Sequence, residues 1–366
     1  MQDFKYYAPT EVVFGKDAEE HLVEMINKYG GKKVLVHYGG HSAERSGLLA
    51  SVREKLNAAG IAFVELGGVK PNPRLTLVHE GIELCRKENV DFILAVGGGS
   101  VIDSSKAIGY GVKYDGDVWD IYARKYVPTE MLPVGVILTI PAAGSEMSDS
   151  SVITKEDGDL KIGYSNNICR PKFAIMNPVR TFTLPPYQTA CGATDIMMHT
   201  MERYFGKVDD MTLIDNIAEA LMRTVKDSVF HVLENPEDYR NRACIMWASS
   251  LGHNDLTGDR SYADFATHQI EHELSAMFDV AHGAGLAAVW PSWARYVMDE
   301  NVSRFARFAV NVMGVPNDFT DTKATAMAGV EAVEKFYRAI GMPTNIHELI
   351  GREITDDEIK ELARKC

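Results

Sequence analysis

Several features that would place the chain in a special class of protein are scarce or missing. Only five of the 366 residues are cysteines, their number is odd, and no two are spaced as Cys-x-x-Cys. This pattern speaks against a disulfide framework and against a cysteine zinc site. No apolar run approaches about 18 residues, and the first residues lack a basic segment followed by an apolar one, so neither a membrane span nor export is expected. We therefore expect a cytoplasmic protein.

A basic excess is missing as well. The chain has 38 Lys and Arg against 51 Asp and Glu, a formal net charge of -13. Binding to nucleic acid or to an acidic membrane surface needs a basic footprint, so neither partner is expected. What is present, 46% hydrophobic and 24% charged residues, is typical of a globular protein, and the length suits two domains.

The first half of the chain alternates between short apolar segments and segments with helical periodicity. Such alternation is typical of βαβ units and a parallel sheet. The predicted strands are Val12–Phe14, Lys33–Tyr38, Ile61–Leu66, Phe92–Val96, Val134–Ile140 and Phe173–Met176.

After residue 180 the alternation stops and only helical patterns follow. These segments are Tyr187–Tyr204, Leu213–Leu233, Arg242–Gly252, Ala263–Phe278, Gly283–Met298, Asn301–Met313 and Thr322–Ile340. The sequence thus predicts an α/β domain over residues 1–180 and an all-α domain over residues 181–366.

Three glycines and a serine, Gly97-Gly98-Gly99-Ser100, join a predicted strand to a predicted helix. Glycines allow a ligand to approach the backbone closely, and a helix N-terminus attracts anions, so we predict that this turn binds the pyrophosphate of a dinucleotide. A plain tight turn is the alternative, because the usual GxGxxG and GxxxxGK[ST] patterns are absent.

An earlier turn bears on which dinucleotide is bound. No acidic residue ends the strand before Gly39, Gly40 and Ser42. An acidic side chain there would favour the ribose 2′-hydroxyl of NAD, whereas small residues and donors suit the 2′-phosphate of NADP. We predict NADP, with NAD possible because Glu44 follows closely.

In the second half, five metal-capable side chains have spacings that helices can bring together: Asp195, His199, His268, His272 and His282. Residues four apart lie on one face of a helix. A carboxylate with two or three imidazoles suits zinc or ferrous iron. A single helical histidine is usually an ordinary structural residue, so the prediction depends on the whole set.

Taken together, the motifs of both halves resemble the iron-dependent alcohol dehydrogenase family, and within it the butanol dehydrogenase-like NADPH-dependent aldehyde reductases. The markers are Phe14-Gly15, Tyr38-Gly39-Gly40, Pro71-Asn72-Pro73-Arg74, Gly97–Lys106, Thr139–Met147, Gly192–Glu202 and His268–Gly285. The resemblance implies a Rossmann-like dinucleotide domain with a parallel sheet, followed by a helical metal-binding domain in the dehydroquinate synthase-like architecture. It also implies a homodimer.

The resemblance assigns roles to individual residues. Metal ligands would be Asp195, His199, His268 and His282, holding Fe or Zn. His272 would face the nicotinamide and the substrate, and it is the candidate catalytic residue, a proton relay for which an unperturbed histidine is suited. His253 is a second relay candidate. The cofactor would contact Gly98, Gly99 and Ser100, with Asn72, Asp103, Thr139 and Lys161 lining its site.

The implied reaction is hydride transfer between NADP(H) and a primary alcohol or aldehyde such as butanol or butanal. Three alternatives remain open. An NAD-dependent polyol dehydrogenase of the glycerol type, or a metal-dependent lyase or synthase resembling dehydroquinate synthase, would use a related scaffold. The segment His268-Gln-Ile-Glu-His272 also matches the HxxEH pattern of a zinc metalloprotease, in which Glu271 would be the base.

Overall fold

The structure, a computed structural model, describes residues 3–207, 211–258 and 263–366. The chain divides into two compact units. We call Tyr7–Thr181 the sheet unit. The helical unit contains Phe182–Cys366 together with the described residues before Tyr7, which the sequence analysis assigned to the first domain.

The sheet unit contains a six-stranded sheet and a separate two-stranded hairpin. The strands are β1 (Glu11–Phe14), β2 (Lys33–Tyr38), β3 (Ala62–Leu66), β4 (Phe92–Gly98), β5 (Val134–Ile140), β6 (Ser150–Lys155), β7 (Leu160–Ser165) and β8 (Phe173–Met176). The large sheet has the order β1-β8-β5-β4-β2-β3, and all its neighbouring strands run parallel. The predicted parallel sheet is confirmed.

Helices connect these strands because parallel strands need a crossover between them. They are α1 (Leu22–Lys28), α2 (Ser42–Arg45), α3 (Leu48–Ala58), α4 (Leu75–Glu88), α5 (Gly99–Val112) and α6 (Trp119–Tyr122). The central strand β4 has a continuous apolar run, Phe92–Val96, that is fully buried. Such a run, without polar alternation, is typical of a strand covered on both faces.

The hairpin of β6 and β7 was not predicted from the sequence. Its strands are antiparallel, with Ser150 opposite Ser165 and Lys155 opposite Leu160. The turn between them uses left-handed backbone at Gly158 (φ 87°) and Asp159 (φ 47°). The Asp-Gly-Asp sequence in this turn is a recognisable hairpin signal, but the strands carry buried polar residues that hide their apolar pattern.

The helical unit contains nine α-helices among its described residues, and none of those residues forms a strand. The helices are α7 (Pro186–Tyr204), α8 (Thr212–Glu234), α9 (Tyr239–Gly252), α10 (Ala266–Phe278), α11 (His282–Val297), α12 (Val302–Asn311), α13 (Thr322–Ala339), α14 (Ile346–Ile350) and α15 (Asp356–Lys365). The predicted all-α domain is confirmed. The helices α14 and α15 were not predicted, and α10 begins three residues later than predicted.

Helix α7 is buried over most of its length, which decides where the functional side chains lie. Met197, Met198 and Met201 are fully buried in the helical core, as is Trp290 of α11. Fully buried apolar side chains along most of a helix place that helix in the interior of a protein. The polar residues of α7 are therefore drawn inside with it. No described helix is long and apolar enough to cross a membrane.

Candidate metal centre and cofactor turn

Three helices of the helical unit bring the predicted metal ligands together. Asp195 and His199 lie one turn apart on α7, His268 lies on α10, and His282 is the first residue of α11. Asp195, His199 and His268 are 4–6% exposed. The cluster is thus in the protein interior, where charged and polar groups need partners.

Asp195 is the centre of the cluster. Its Oδ1 lies 3.1 Å from Nδ1 of His199, 3.6 Å from Nε2 of His268 and 3.8 Å from Nε2 of His282. Asp195, His268 and His282 each present one ligand atom within 4.8 Å of the others. His199 is not in this set of three converging ligand atoms, but it lies beside it, with its ring centre 4.4 Å from that of His268.

Two buried atoms of this cluster test whether a metal ion fits. Oδ1 of Asp195 and Nε2 of His268 are fully buried and have no hydrogen-bond partner within the described protein, since Nδ1 of His199 donates to the backbone oxygen of Asp195 instead. Leaving such atoms unsatisfied costs about 1–3 kcal/mol each. A divalent cation would satisfy both at once, and one carboxylate with three imidazoles is a donor set that Zn²⁺ and Fe²⁺ accept. The residues therefore fit a metal centre.

The charges in the cluster differ from residue to residue. Burial alone would raise the pKa of Asp195, but His199 and His282 hold it well below its usual value. Burial lowers the pKa of His199 to about 4 despite the nearby carboxylate. For His268, burial also lowers the pKa, but Glu202 and Asp195 outweigh it and raise the value to about 9. Since metal binding requires a neutral imidazole, an ion would displace a proton from His268.

His272 lies beside the cluster. Its ring centre is 5.7 Å from that of His282 and 6.4 Å from that of His268. It groups with Glu271 and His282, and it is half-buried. The second relay candidate, His253, packs its ring edge against His199, with ring centres 4.0 Å apart. Both histidines thus border the cluster around Asp195.

In the sheet unit, the three glycines form the junction of β4 and α5. A Cβ atom at Gly97 would lie 2.5 Å from Val101, one at Gly98 2.9 Å from Ile140, and one at Gly99 3.0 Å from Ala143. Close packing alone therefore requires glycine at these three positions, which is what the interpretation as a plain tight turn proposes. The turn also presents the N-terminus of the 14-residue α5, with Ser100 half-buried in its first turn, so packing and anion binding are compatible.

The other predicted cofactor residues occupy several places in the sheet unit. Asn72 is buried and left-handed (φ 55°) between two prolines. Thr139 is half-buried near the end of β5, and Lys161 is opposite Thr154 in the hairpin. The carboxylate of Asp103 accepts hydrogen bonds from Ser145 Oγ (2.5 Å) and Val152 N (2.9 Å). Asp103 thus fixes the loop that follows β5.

Gly39 and Gly40 lie between β2 and α2, and Ser42 begins α2. A Cβ atom at Gly39 would make only ordinary contacts, and one at Gly40 would meet nothing. Glu44, whose acidic side chain kept NAD possible in the sequence prediction, accepts two hydrogen bonds of 2.8 and 3.0 Å from Arg53. Arg53 also bonds Glu65.

Three buried charged residues have surroundings that were not predicted: no role was predicted for Lys106 or Glu202, and Glu271 was named only as the base of the protease alternative. Lys106 is fully buried, and its Nζ donates to the backbone oxygens of Ser145, Ser148 and Ser150 at 2.7–3.0 Å. Glu202 and Glu271 are buried and accept hydrogen bonds from His268 and His282. For Glu202 a signal existed, because it follows Asp195 and His199 at helical spacing on the same face of α7.

Two family models together match nearly the whole chain. "Iron-containing alcohol dehydrogenase" matches residues 9–178, and the C-terminal model of the Fe-containing alcohol dehydrogenase family matches residues 189–366. The first match covers nearly all of the sheet unit, and the second covers the residues of the cluster around Asp195.

Individual relatives agree with these models. A probable NADH-dependent butanol dehydrogenase of Bacillus subtilis is 40% identical over 366 residues, 100% of this chain and 94% of the relative. The NADPH-dependent aldehyde reductase of Escherichia coli is 35% identical and covers 95% of this chain and 89% of the relative. The crystal structure of NADH-dependent butanol dehydrogenase A from Thermotoga maritima superposes with a TM-score of 0.95 at 37% identity, covering 100% of this chain and 90% of that one.

Proposed function

The chain belongs to the iron-containing alcohol dehydrogenase family, and we propose that it transfers a hydride between NADP(H) and a primary alcohol or its aldehyde, such as butanol and butanal. Family membership confirms the predicted class of enzyme, an NAD(P)-dependent alcohol dehydrogenase. The observation that carries the proposal is the buried cluster around Asp195, with two ligand atoms that lack a protein partner. The butanol dehydrogenase relatives support the substrate class.

In this proposal Asp195, His199, His268 and His282 hold Zn²⁺ or Fe²⁺. The bound ion supplies Lewis acidity that polarises the substrate oxygen. Asp195 contributes a buried negative charge that balances part of the ion's charge. The histidines are held in place by the packing of α7, α10 and α11, so little side-chain freedom is lost when they bind.

We propose that the cofactor binds to the sheet unit. The glycine turn Gly97–Ser100 and the N-terminus of α5 would bind the pyrophosphate, and Asn72, Asp103, Thr139 and Lys161 are proposed to line the site. The nicotinamide supplies the hydride chemistry.

The proposed preference for NADP depends on Gly39, Gly40 and Ser42. None of the three is acidic, and the carboxylate of Glu44 is paired with Arg53. Because it is paired, Glu44 would repel a 2′-phosphate less than an unpaired carboxylate would. The relatives named above include both NADH- and NADPH-dependent enzymes, so their names do not decide between the two cofactors.

For His272 we propose a relay role, in which an imidazole nitrogen exchanges the substrate proton with solvent. Its place beside His282 rather than within the cluster around Asp195 supports this assignment. The protease alternative would instead require Glu271 to activate a water molecule. Glu271 is fully buried and hydrogen-bonded to His282 and Ser275, which disfavours that role.

We also propose that the protein is a cytoplasmic homodimer. Its five cysteines are free thiols, which suits a reducing compartment. Among the described residues, strand β1 forms one end of the six-stranded sheet, and the end of a sheet is a common place for a second copy to dock. A solution mass equal to one chain would contradict the dimer.

The decisive experiment follows the oxidation of NADPH and NADH with butanal, using protein stripped of metal and then supplied with Zn²⁺ or Fe²⁺. We expect activity that returns with metal and is faster with NADPH. Glycerol and NAD, tested in parallel, address the polyol alternative. Failure of both cofactors to react with butanal under either metal would overturn the aldehyde reductase proposal, and faster turnover with NADH would overturn the cofactor preference.

A further inference from the structure

Two buried glutamates of the helical unit have no role in the proposed hydride transfer. Glu202 lies on α7 and is 3% exposed, and Glu271 lies on α10 and is 0% exposed. Each carboxylate contacts the Nδ1 atom of one predicted metal ligand: Glu202 that of His268 and Glu271 that of His282. Since a carboxylate accepts hydrogen bonds, the imidazole Nδ1 is the donor in both pairs.

The opposite nitrogen of each ring points toward Asp195. Nε2 of His268 lies 3.6 Å and Nε2 of His282 lies 3.8 Å from Oδ1 of Asp195. A proton on Nδ1 leaves Nε2 as the nitrogen that can bind an ion. His199 differs from both, because its Nδ1 also bonds the backbone oxygen of Asp195, at 3.1 Å.

The two carboxylates are themselves held by further contacts. Oε1 of Glu202 accepts a hydrogen bond from the backbone N–H of His268 at 3.2 Å. Glu271 accepts a second bond from the hydroxyl of Ser275. Gly285 leaves room for Glu271, because a Cβ atom there would lie 2.7 Å from Cγ and 2.9 Å from Oε1 of that side chain.

We propose that Glu202 and Glu271 are positioning residues that fix His268 and His282 with Nδ1 protonated and Nε2 directed at the metal ion. This inference rests on the metal centre of the proposed function. A carboxylate on the far side of an imidazole fixes the ring orientation and makes it a stronger ligand. Two of the three histidine ligands thus have a buried carboxylate behind them, one from α7 and one from α10.

The test compares metal affinity among variants that keep the ligands themselves. Glu202→Gln and Glu271→Gln remove the charge at nearly constant shape. Glu219→Gln is the matched control, since Glu219 is also buried in the helical unit but bonds Tyr204 and Arg307. The dissociation constant for Zn²⁺ is measured by competition with a chelator, and Co²⁺ absorption reports the ligand field. We expect the dissociation constant to rise about 10- to 100-fold for each site variant and less than about twofold for the control.

Gly285→Ala provides a second route if a glutamine variant fails to fold. It displaces the Glu271 side chain but leaves both the charge and His282 in the protein, and alanine is favoured over glycine within a helix. We expect it to weaken Zn²⁺ binding as Glu271→Gln does.

The possible failures are distinguishable. If the unaltered protein binds no Zn²⁺, the metal centre of the proposed function is wrong. If it binds Zn²⁺ and the folded glutamine and Gly285→Ala variants bind it within about twofold of the same strength, the two glutamates are structural and the inference is overturned.

Discussion

His37 and His268 are both buried histidines, and their surroundings move their pKa values in opposite directions. His37, at the end of β2, has a pKa lowered to about 4 because burial disfavours its charged form. Its Nδ1 donates to the backbone oxygen of Leu66, and its Nε2 accepts from the hydroxyl of Ser104, both at 2.8 Å. His268 is equally buried but faces Glu202 and Asp195, which raise its pKa to about 9. The carboxylates, more than the burial, decide the charge.

The low pKa of His37 predicts a loss of stability in acid. The unfolded chain takes up this proton near pH 6.5 and the folded protein only near pH 4, so the contribution is present above pH 6.5 and is lost as pH falls toward 4. Between pH 7 and pH 5 we expect about 2 kcal/mol less unfolding free energy from this residue. Urea unfolding at both pH values measures it. His37→Gln should show a weaker pH dependence, and equal dependence in the two proteins would contradict the assignment.

At the residue scale, the sequence could predict which side chains meet but not what supports them. Asp195 and His199 are recognisable because four-residue spacing on a helix implies one face. Lys106 was not, because a charged residue in a helix usually lies on a solvated face. Only the positions of other elements show that Lys106 is surrounded by the oxygens of residues 145–150.

At the scale of elements, the turn between β2 and α2 has room for a side chain, so the charge at this turn can be changed without disturbing the packing. A Cβ atom at Gly39 would lie 3.5 Å from the backbone oxygen of Val69 and 3.8 Å from Val101. A side chain is therefore sterically tolerated there. The turn at Gly97 is different, because a Cβ atom would lie 2.5 Å from Val101. A substitution at Gly39 can therefore test the cofactor preference, whereas one at Gly97 would move α5.

Gly39→Asp should shift cofactor preference from NADPH toward NADH. A carboxylate at the end of β2 can bond the ribose 2′-hydroxyl and repels a 2′-phosphate, and a repulsion of about 1.4 kcal/mol corresponds to tenfold in kcat/KM. Steady-state kinetics with both cofactors measure the ratio. Gly39→Asn is the control of equal size without charge. If both variants change the ratio equally, charge at this turn does not determine the cofactor.

At the scale of the whole molecule, the division of the chain into a sheet unit and a helical unit is what the sequence pattern could predict. The alternation of strands and helices and its end near residue 180 were enough to predict a parallel sheet and a helical part. The hairpin of β6 and β7 was missed because Ser151 and Thr154 are buried polar residues, so their strand lacks the usual apolar alternation. The described residues before Tyr7 belong to the helical unit. Their contacts are with residues distant in sequence, so the local pattern could not predict this.

Metal binding should stabilise the helical unit, because the proposed ligands come from α7, α10 and α11 and an ion binds the folded state. At a free Zn²⁺ concentration 100 times the dissociation constant, the expected gain is about 2.7 kcal/mol. Hydrogen exchange followed by mass spectrometry, with and without Zn²⁺, localises the effect. We expect amides of these three helices to slow by up to about 100-fold, and more than those of β4. Asp195→Ala should remove the response, since it deletes the carboxylate to which the histidines point. Unchanged exchange in the three helices, or slowing that persists in Asp195→Ala, would show that the ion binds elsewhere or not at all.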